Sequence, residues 1–292
     1  MSNDLPHFLT TREMADLLRV KERKIYDLAA AGDIPHSRAT GKLIFPRDLV
    51  LAWIDKAGDA PKLEAERPHV ILGSHDPLLE WAARESGSGL ATLFDGSLDG
   101  LERFDDGAGL AVGLHVPESE GWNVETVRAR YRYRPVVLVE WFWRSRGLIV
   151  QPGNPKELKT LADLDGVELV RRQPSAGSQL LLEKLVGDEA PDLAARMTEG
   201  RLARDEREAA LAVLDGSADA AFGLEASAHQ FKLGFVPVCE ERFDMLVSRR
   251  DWFEPPFQAL LEFCRTPAFG EMAARFGGYR IERFGTVHFN GG

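Results

Sequence analysis

The sequence predicts an α/β chain with a small, mostly helical module in front of a larger body of alternating strands and helices. Three observations carry this. Residues 8–54 place apolar side chains at helical spacing in three short segments. A polar stretch from Asp55 to Pro68, with two prolines and a glycine, reads as a linker. From His69 onward, short apolar runs end at small polar residues and give way to helix starts, the pattern of a largely parallel sheet. The 292 residues suffice for two domains, and 44% hydrophobic with 28% charged residues is ordinary for a soluble globular protein. No run reaches membrane-spanning length, and "MSNDLPHFLTTREM" has neither a basic n-region nor an apolar h-region. A cytoplasmic protein without a membrane partner is expected. Neither Cys239 nor Cys264 belongs to a CxxC pair, which argues against a disulfide framework or a structural zinc site; Cys239, in an apolar strand-like run, reads as core.

The elements of the first module follow from their caps. Thr10 and Glu13 have capping-box spacing for a first helix whose apolar face is Met14, Leu17 and Leu18. Val20-Lys21 turns into a second helix with Ile25, Leu28 and Ala29 inward, and Gly32 stops it. "HSRATGKLIF" makes two short extended pieces around Gly41, a small wing. Pro46-Arg47-Asp48 then starts a third helix carrying Leu49, Ala52 and Trp53. Two helices joined by so short a turn suit a helix-turn-helix. Lys21, Arg23, Lys24 and Tyr26 lie early in the second helix, where a major groove would be read, and Arg38, Lys42 and Arg47 flank the wing within reach of phosphates. A solvated charged face is the alternative for any one of them. Phe8 to Lys56 carries nine Lys/Arg against seven Asp/Glu, while the whole chain has a net charge of −10. The acidic body is therefore a poor nucleic-acid binder and leaves the first module as the candidate. Its small excess predicts weak binding by one copy, so a homodimer or higher homo-oligomer on a palindromic operator is expected.

In the body, "HVILG", "AGLAVGLH", "RPVVLVEWFW", "GLIVQPG", "VELVRRQ" and "ADAAFGLEASA" are strand-like runs. In open α/β sheets ligands bind beyond the carboxyl ends of strands, where helix N-termini and glycine loops offer N–H donors to an anion. Small polar residues sit at those points: Gly73-Ser74-His75-Asp76, Gly96-Ser97, His115, Ser175-Ala176-Gly177-Ser178 and Glu225.

The first module resembles the excisionase/MerR-type winged helix-turn-helix family in its Thr-x-x-Glu start, Ala15-Asp16-Leu17-Leu18, Ile25-Tyr26, Gly32-Asp33-Ile34-Pro35, Arg47-Asp48-Leu49 and Trp53-Ile54. The body resembles the periplasmic-binding-protein-like ligand domain of bacterial regulators, the molybdate-binding-protein-like group, through "GSHDPLLEW", "GSLDGLERFDDGAGLAVGLH", "RSRGLIVQPGNPKEL", "DLDGVELVRRQPSAGSQLLLEKL", "DGSADAAFGLEASA" and "LGFVPVCEERFDMLV". The resemblance implies a winged helix-turn-helix over residues 1–56, a linker over 57–68, and a two-lobed type II ligand domain over 69–292. Lobe I would comprise about 69–130 and 225–292, lobe II about 135–224, with crossover strands between them and ligand in the cleft. Members of the group often have Gly-Ser-Gly-Thr-Arg where this chain has Ser175-Ala176-Gly177-Ser178-Gln179. An Arg would clamp an oxyanion through two hydrogen bonds, whereas Gln179 offers neutral donors. Either Arg172 supplies the charge or the ligand differs.

Each candidate has a plainer reading beside the functional one. Ser175 and Ser178 fit a helix cap as well as a ligand contact. Asp76 before Pro77 fits a cap, or an acceptor for a ligand hydroxyl or amine. His75 fits a neutral donor or a charged partner. Ser97 and His115 fit structural roles. Trp122, Tyr131, Tyr133, Trp141 and Trp143 fit core and lobe packing, or the wall of a pocket for an organic ligand. No Gly-x-Ser-x-Gly elbow, HExxH spacing or phosphate-binding Gly-x-x-x-x-Gly-Lys-Ser/Thr loop occurs, so neither catalytic residues nor a bound metal or cofactor is expected. The expected function is a ligand-responsive, DNA-binding regulator of a small anion, with molybdate or tungstate implied by the resemblance. The alternatives are a sensor of a small organic anion, an enzyme or cofactor-biosynthesis accessory, and an architectural DNA binder whose body only dimerises.

Overall fold

A computed structural model describes residues 7–38, 41–57, 66–194 and 198–292. The chain divides into two compact units, Met1–Glu64 and Ala65–Gly292. Among the described residues, no helix is long and apolar enough to cross a membrane.

In the first unit the order is β1 (Phe8–Thr10), α1 (Thr11–Leu18), α2 (Glu22–Ala31), β2 (Ile44–Pro46) and α3 (Arg47–Ala57). The capping box at the start of α1 forms in both directions. The Glu13 N–H donates to Thr10 Oγ1 at 3.3 Å, and the Thr10 N–H donates to Glu13 Oε2 at 2.7 Å. Gly32 adopts the left-handed conformation, φ 76°, and closes α2. Met14, Ala15, Ile25, Ala29, Ile34, Phe45 and Val50 form the core. Leu17, expected on the inner face of α1, is exposed instead. The expected wing carries one pairing that the sequence did not show. Its limbs are joined by the bridge Ser37↔Ile44, whereas its second limb pairs antiparallel with β1, Leu9 opposite Phe45. Backbone pairing between segments this far apart leaves no periodicity in so short a run. Residues 39–40 of the wing and 58–65 of the expected linker lie outside the described residues.

The second unit continues with β3 (Val70–Gly73), α4 (Pro77–Glu85), β4 (Ala91–Phe94), α5 (Ser97–Asp105), β5 (Ala111–Leu114), α6 (Val124–Tyr131) and the long β6 (Val136–Val150). Then come β7 (Glu168–Arg171), α7 (Gly177–Glu189), α8 (Pro191–Ala194), β8 (Thr198–Leu202), α9 (Glu206–Leu214), β9 (Ala220–Leu224), α10 (Glu225–Gln230) and the equally long β10 (Gly234–Ser248). The chain finishes with α11 (Pro255–Phe263), α12 (Pro267–Phe276), β11 (Tyr279–Arg280) and β12 (Val287–Asn290). The strand order is β4-β3-β5-β10-β6-β9-β7-β8. The sheet is mixed. β3/β4, β3/β5, β7/β8 and β7/β9 are parallel, and the central joins β5/β10, β10/β6 and β6/β9 are antiparallel.

β6 and β10 pair from Val136↔Ser248 to Val150↔Gly234 and serve both lobes. One end lies in a core of Ile71, Leu79, Trp141, Phe142, Phe243, Met245 and Phe257. At the other end Leu148 and Val150 enter a cluster with Leu161, Leu182 and Phe222, while Ile149 enters a second with Val170, Ala209 and Val213. That alternation covers both faces of the sheet in lobe II. The return to lobe I was expected near residue 225. The packing moves it into β10, because Ala228 and Leu233 still belong to the lobe II core. A helix that follows its own strand buries its apolar side locally, and the chain crosses only where β10 runs through.

Candidate functional site

Four helices of the second unit begin where the lobes face each other: α4 and α5 from lobe I, α7 and α9 from lobe II. Their N-termini turn first-turn N–H groups and positive dipole ends toward the same cleft. Gly73 makes the first of these turns possible. Its φ is 99°, and a Cβ there would collide with the Gly113 carbonyl oxygen, so only glycine delivers Ser74 to the cleft. The cleft is lined by Ser74, His75, Phe94, Asp95, Gly96 and His115 on one side, and by Arg172, Ala176, Ser178, Arg204 and Glu206 on the other. The empty space there, about 240 Å³ with the part open to solvent included, leaves room for no more than a few heavy atoms.

Beneath the cleft runs a buried chain of charges. Arg144 and Arg146 share one face of β6 and both meet Glu241 of β10, at 2.6 and 2.8 Å. Arg144 Nη1 also donates to Asp76 at 2.8 Å; Arg146 Nη2 donates to Glu206 Oε1 at 3.0 Å, and Arg172 Nη1 donates to the same oxygen at 3.0 Å. The network crosses from the start of α4, through the two long strands, to the start of α9. Removing one partner of such a buried pair strands a charge, at a cost of about 3–5 kcal/mol. Burial alone would raise the Glu206 pKa, but Arg146, Arg172 and Arg144 outweigh it and hold it down to about 2. The same balance holds Glu241 well below the usual carboxylate range. His115 goes the other way. Burial, helped by Arg144 and Arg146 against Glu241, lowers it to about 4. Its ring is nearly parallel to Phe243, with centroids 6.1 Å apart.

The lobes touch along one edge of the cleft. Ser175 Oγ donates to Asp99 of α5 at 2.5 Å, and Lys184 of α7 donates to the Glu118 carbonyl at 2.7 Å. A Cβ on Gly177 would lie 2.7 Å from His115 Cε1 and 2.8 Å from its carbonyl oxygen, so the close approach requires glycine.

Of the residues expected at the site, Ser74, His75, His115, Arg172 and Ser178 line the cleft. Ser97 lies just behind, 2.8 Å from Ser74 Oγ and accepting the His115 N–H at 3.2 Å. The others are turned to different work. Asp76 is fully buried; it caps α4 through the Leu79 N–H and accepts from Arg144 and the Tyr279 hydroxyl. Ser175 joins the lobes. Gln179 Oε1 accepts the Arg172 N–H at 3.0 Å, and its amide donates to Glu183. Glu225 starts α10 and lies 3.7 Å from His229 Nε2. None of these four lines the cleft, because each side chain finds a nearer partner on its own lobe or, for Ser175, on α5 of the facing lobe. Sequence reasoning missed Arg144, Arg146, Glu206 and Glu241. Two arginines two residues apart within the apolar run "VVLVEWFWRSRGLIV" were the available signal, since that spacing places both on one face of a buried strand. Trp141 and Tyr131 are core, Trp122 packs against the lobe II cluster, and the aromatic wall of the cleft is Phe94.

In the first unit Lys21, Arg23, Lys24 and Tyr26 are exposed at the start of α2, Tyr26 by 52%. Arg38 and Lys42 are exposed on the wing, and Arg47 is half-buried at the start of α3.

A PBP superfamily domain matches residues 78–265, and a helix-turn-helix domain matches residues 8–58. The uncharacterized protein YvgK of Bacillus subtilis (strain 168) is 26% identical, over 95% of this chain and 96% of its own length. Among solved structures, a phosphate ABC transporter substrate-binding protein from Clostridium perfringens, with bound phosphate, superposes with a TM-score of 0.57 at 13% identity, over 73% of this chain and 99% of its own. The sulfate-binding protein SubI of Mycobacterium tuberculosis superposes at 0.51 with 17% identity, over 73% of this chain and 86% of its own. At these identities the likeness is one of fold.

Proposed function

The chain belongs to the PBP superfamily and carries an N-terminal helix-turn-helix domain, and from that premise we propose that it is a cytoplasmic transcription regulator switched by a small anion. The observation that carries the reading is the cleft. Hydroxyls of Ser74 and Ser178, the Arg172 guanidinium and converging helix N-termini surround a space sized for a few atoms. The phosphate and sulfate named for the two solved structures are anions of that size. Molybdate and tungstate, implied by the sequence resemblance, are the corresponding metal oxyanions. Residues 1–56 are the DNA-binding part, 57–68 the linker and 69–292 the sensor. Lys21, Arg23, Lys24, Tyr26, Arg38, Lys42 and Arg47 make the DNA contacts, and two or more copies read a palindrome.

Ligand acts by preferring the closed lobes over the open ones, and its differential affinity is the whole of the switching energy. The test pairs two measurements on the full chain. Thermal denaturation is followed against phosphate, sulfate, molybdate and tungstate, and binding to DNA from upstream of its own coding sequence is followed with and without each. The expected result is a concentration-dependent rise in Tm with at least one anion, and a change in DNA affinity with the same anion. A chain that binds that DNA equally with and without every anion is not this regulator.

A further inference from the structure

The cleft contains acceptors as well as donors, and this bears on which anion it takes. The following rests on the anion-sensor reading above. His115 Nδ1 lies 2.9 Å from Glu241 Oε2, and that carboxylate is clamped by Arg144 and Arg146. An ionised carboxylate accepts only, so Nδ1 carries the hydrogen. In the neutral ring, Nε2 is then left with a lone pair. Phe243 and the glycine at 177 hold the ring in place. Glu206 is the second acceptor in the lining. Its Oε1 takes both Arg146 and Arg172, and its Oε2 is buried with no donor among the described residues. On the donor side, Ser178 Oγ accepts from Arg172 Nη1 at 3.4 Å, which leaves its own hydrogen free for a ligand.

A tetrahedral oxyanion without a proton presents lone pairs in every direction. It matches the serines, Arg172 and the helix ends, but it meets the His115 and Glu206 lone pairs with nothing to share. We propose that the cleft selects an anion carrying its own O–H groups, of the dihydrogenphosphate kind, with His115 Nε2 and Glu206 each accepting one hydrogen from it. Sulfate, molybdate and tungstate are fully deprotonated near neutrality and are disfavoured at the same two points. Buried polar groups left unpaired are what make a hydrogen-bonding site reject an analogue lacking the hydrogen.

The experiment is calorimetric titration of the full chain at pH 7.5 with phosphate, sulfate and molybdate, and with glycolate against acetate. Phosphate is expected to bind at least ~100-fold more tightly than sulfate or molybdate, within the discrimination such sites reach. Glu206→Gln, whose amide can donate to a bare oxygen, is expected to shrink the phosphate-to-sulfate ratio at least ~10-fold; the wild-type ratio decides the matter if that variant does not fold. Glycolate binding well above acetate, with phosphate silent, supports the same donor requirement with a carboxylate as the charged head. Sulfate or molybdate binding as tightly as phosphate overturns the inference and leaves the anion sensor standing. No binding by any of these anions removes the sensor reading and this inference with it.

Discussion

Gly177→Ala separates lobe closure from folding. Gly177 is the first residue of α7, and its φ lies outside the left-handed region that favours glycine, so alanine fits the local backbone. In an open cleft the change relieves unfolded-chain entropy and stabilises the protein by about 0.4–1 kcal/mol. In the closed cleft the new methyl falls 2.7–2.9 Å from His115 Cε1, carbonyl oxygen and Nδ1, well inside van der Waals contact. Two of those atoms belong to a ring held by Glu241 and Phe243, and the third is backbone, so none yields cheaply. Overpacking of this kind costs about 1–3 kcal/mol, borne only by the closed form. Since 1.4 kcal/mol is tenfold, anion affinity should fall roughly 5- to 150-fold. The assay is calorimetric titration of the anion beside denaturant unfolding of the ligand-free protein. A ligand-free stability equal to or above wild type, with weakened binding, is expected. Lowered stability with unchanged affinity would refute the reasoning, because it would mean that the lobes do not part along this edge.

Three further outcomes follow from the same structure. Ser175→Ala removes the hydrogen bond to Asp99 and should raise the Kd of the anion about 5- to 30-fold without altering the ligand-free Tm, a charge-assisted bond being worth roughly 1–2 kcal/mol; unchanged Kd would show that this bond does not hold the closed form. Replacing Lys21, Arg23 and Lys24 together by Ala should lower the slope of log affinity against log salt by about 0.9 for each phosphate that is no longer neutralised, read by fluorescence anisotropy on duplex DNA; an unaltered slope would remove these residues from the interface. Stability against pH should stay nearly level between about pH 6.5 and 4 and then fall. His115, lowered to about 4, loses stability as pH drops through that range, while Asp244, which burial raises to about 6, gains it. Below about 4.5, Glu206 and Glu241, both depressed, are protonated at a cost. Asp244→Asn removes the opposing contribution, so its decline should begin near pH 6.5; a Tm profile overlying the wild type would count against the assignment.

Legibility followed the range of the interaction. The capping box at Thr10 and Glu13, the Gly32 stop and the cap at Asp76 were readable because both partners lie within a turn of chain. Ser74, His115, Arg172 and Ser178 were readable as residues at strand ends and helix starts, where α/β folds expose small polar groups. What those residues do was not readable. Asp76 faces Arg144, 68 positions away, and Tyr279, 203 positions away; Ser175 faces Asp99 across 76. Gln179 stands where relatives often carry Arg, and it is turned to the Arg172 backbone and Glu183, outside the cleft.

The sequence by itself determined the two-part architecture, the α/β character of the body and the local caps, since hydrophobic period and cap chemistry act between near neighbours. Only the tertiary structure decided how the body's charges are spent. Arg144, Arg146 and Arg172 read as cations along the chain, yet they are largely consumed by Glu241, Glu206 and Asp76 once the two long strands pair. His115 becomes an acceptor only because Glu241 arrives from 126 residues away to fix its proton. Buried electrostatics depends on burial and on distances between remote segments, and both come into being when the lobes assemble.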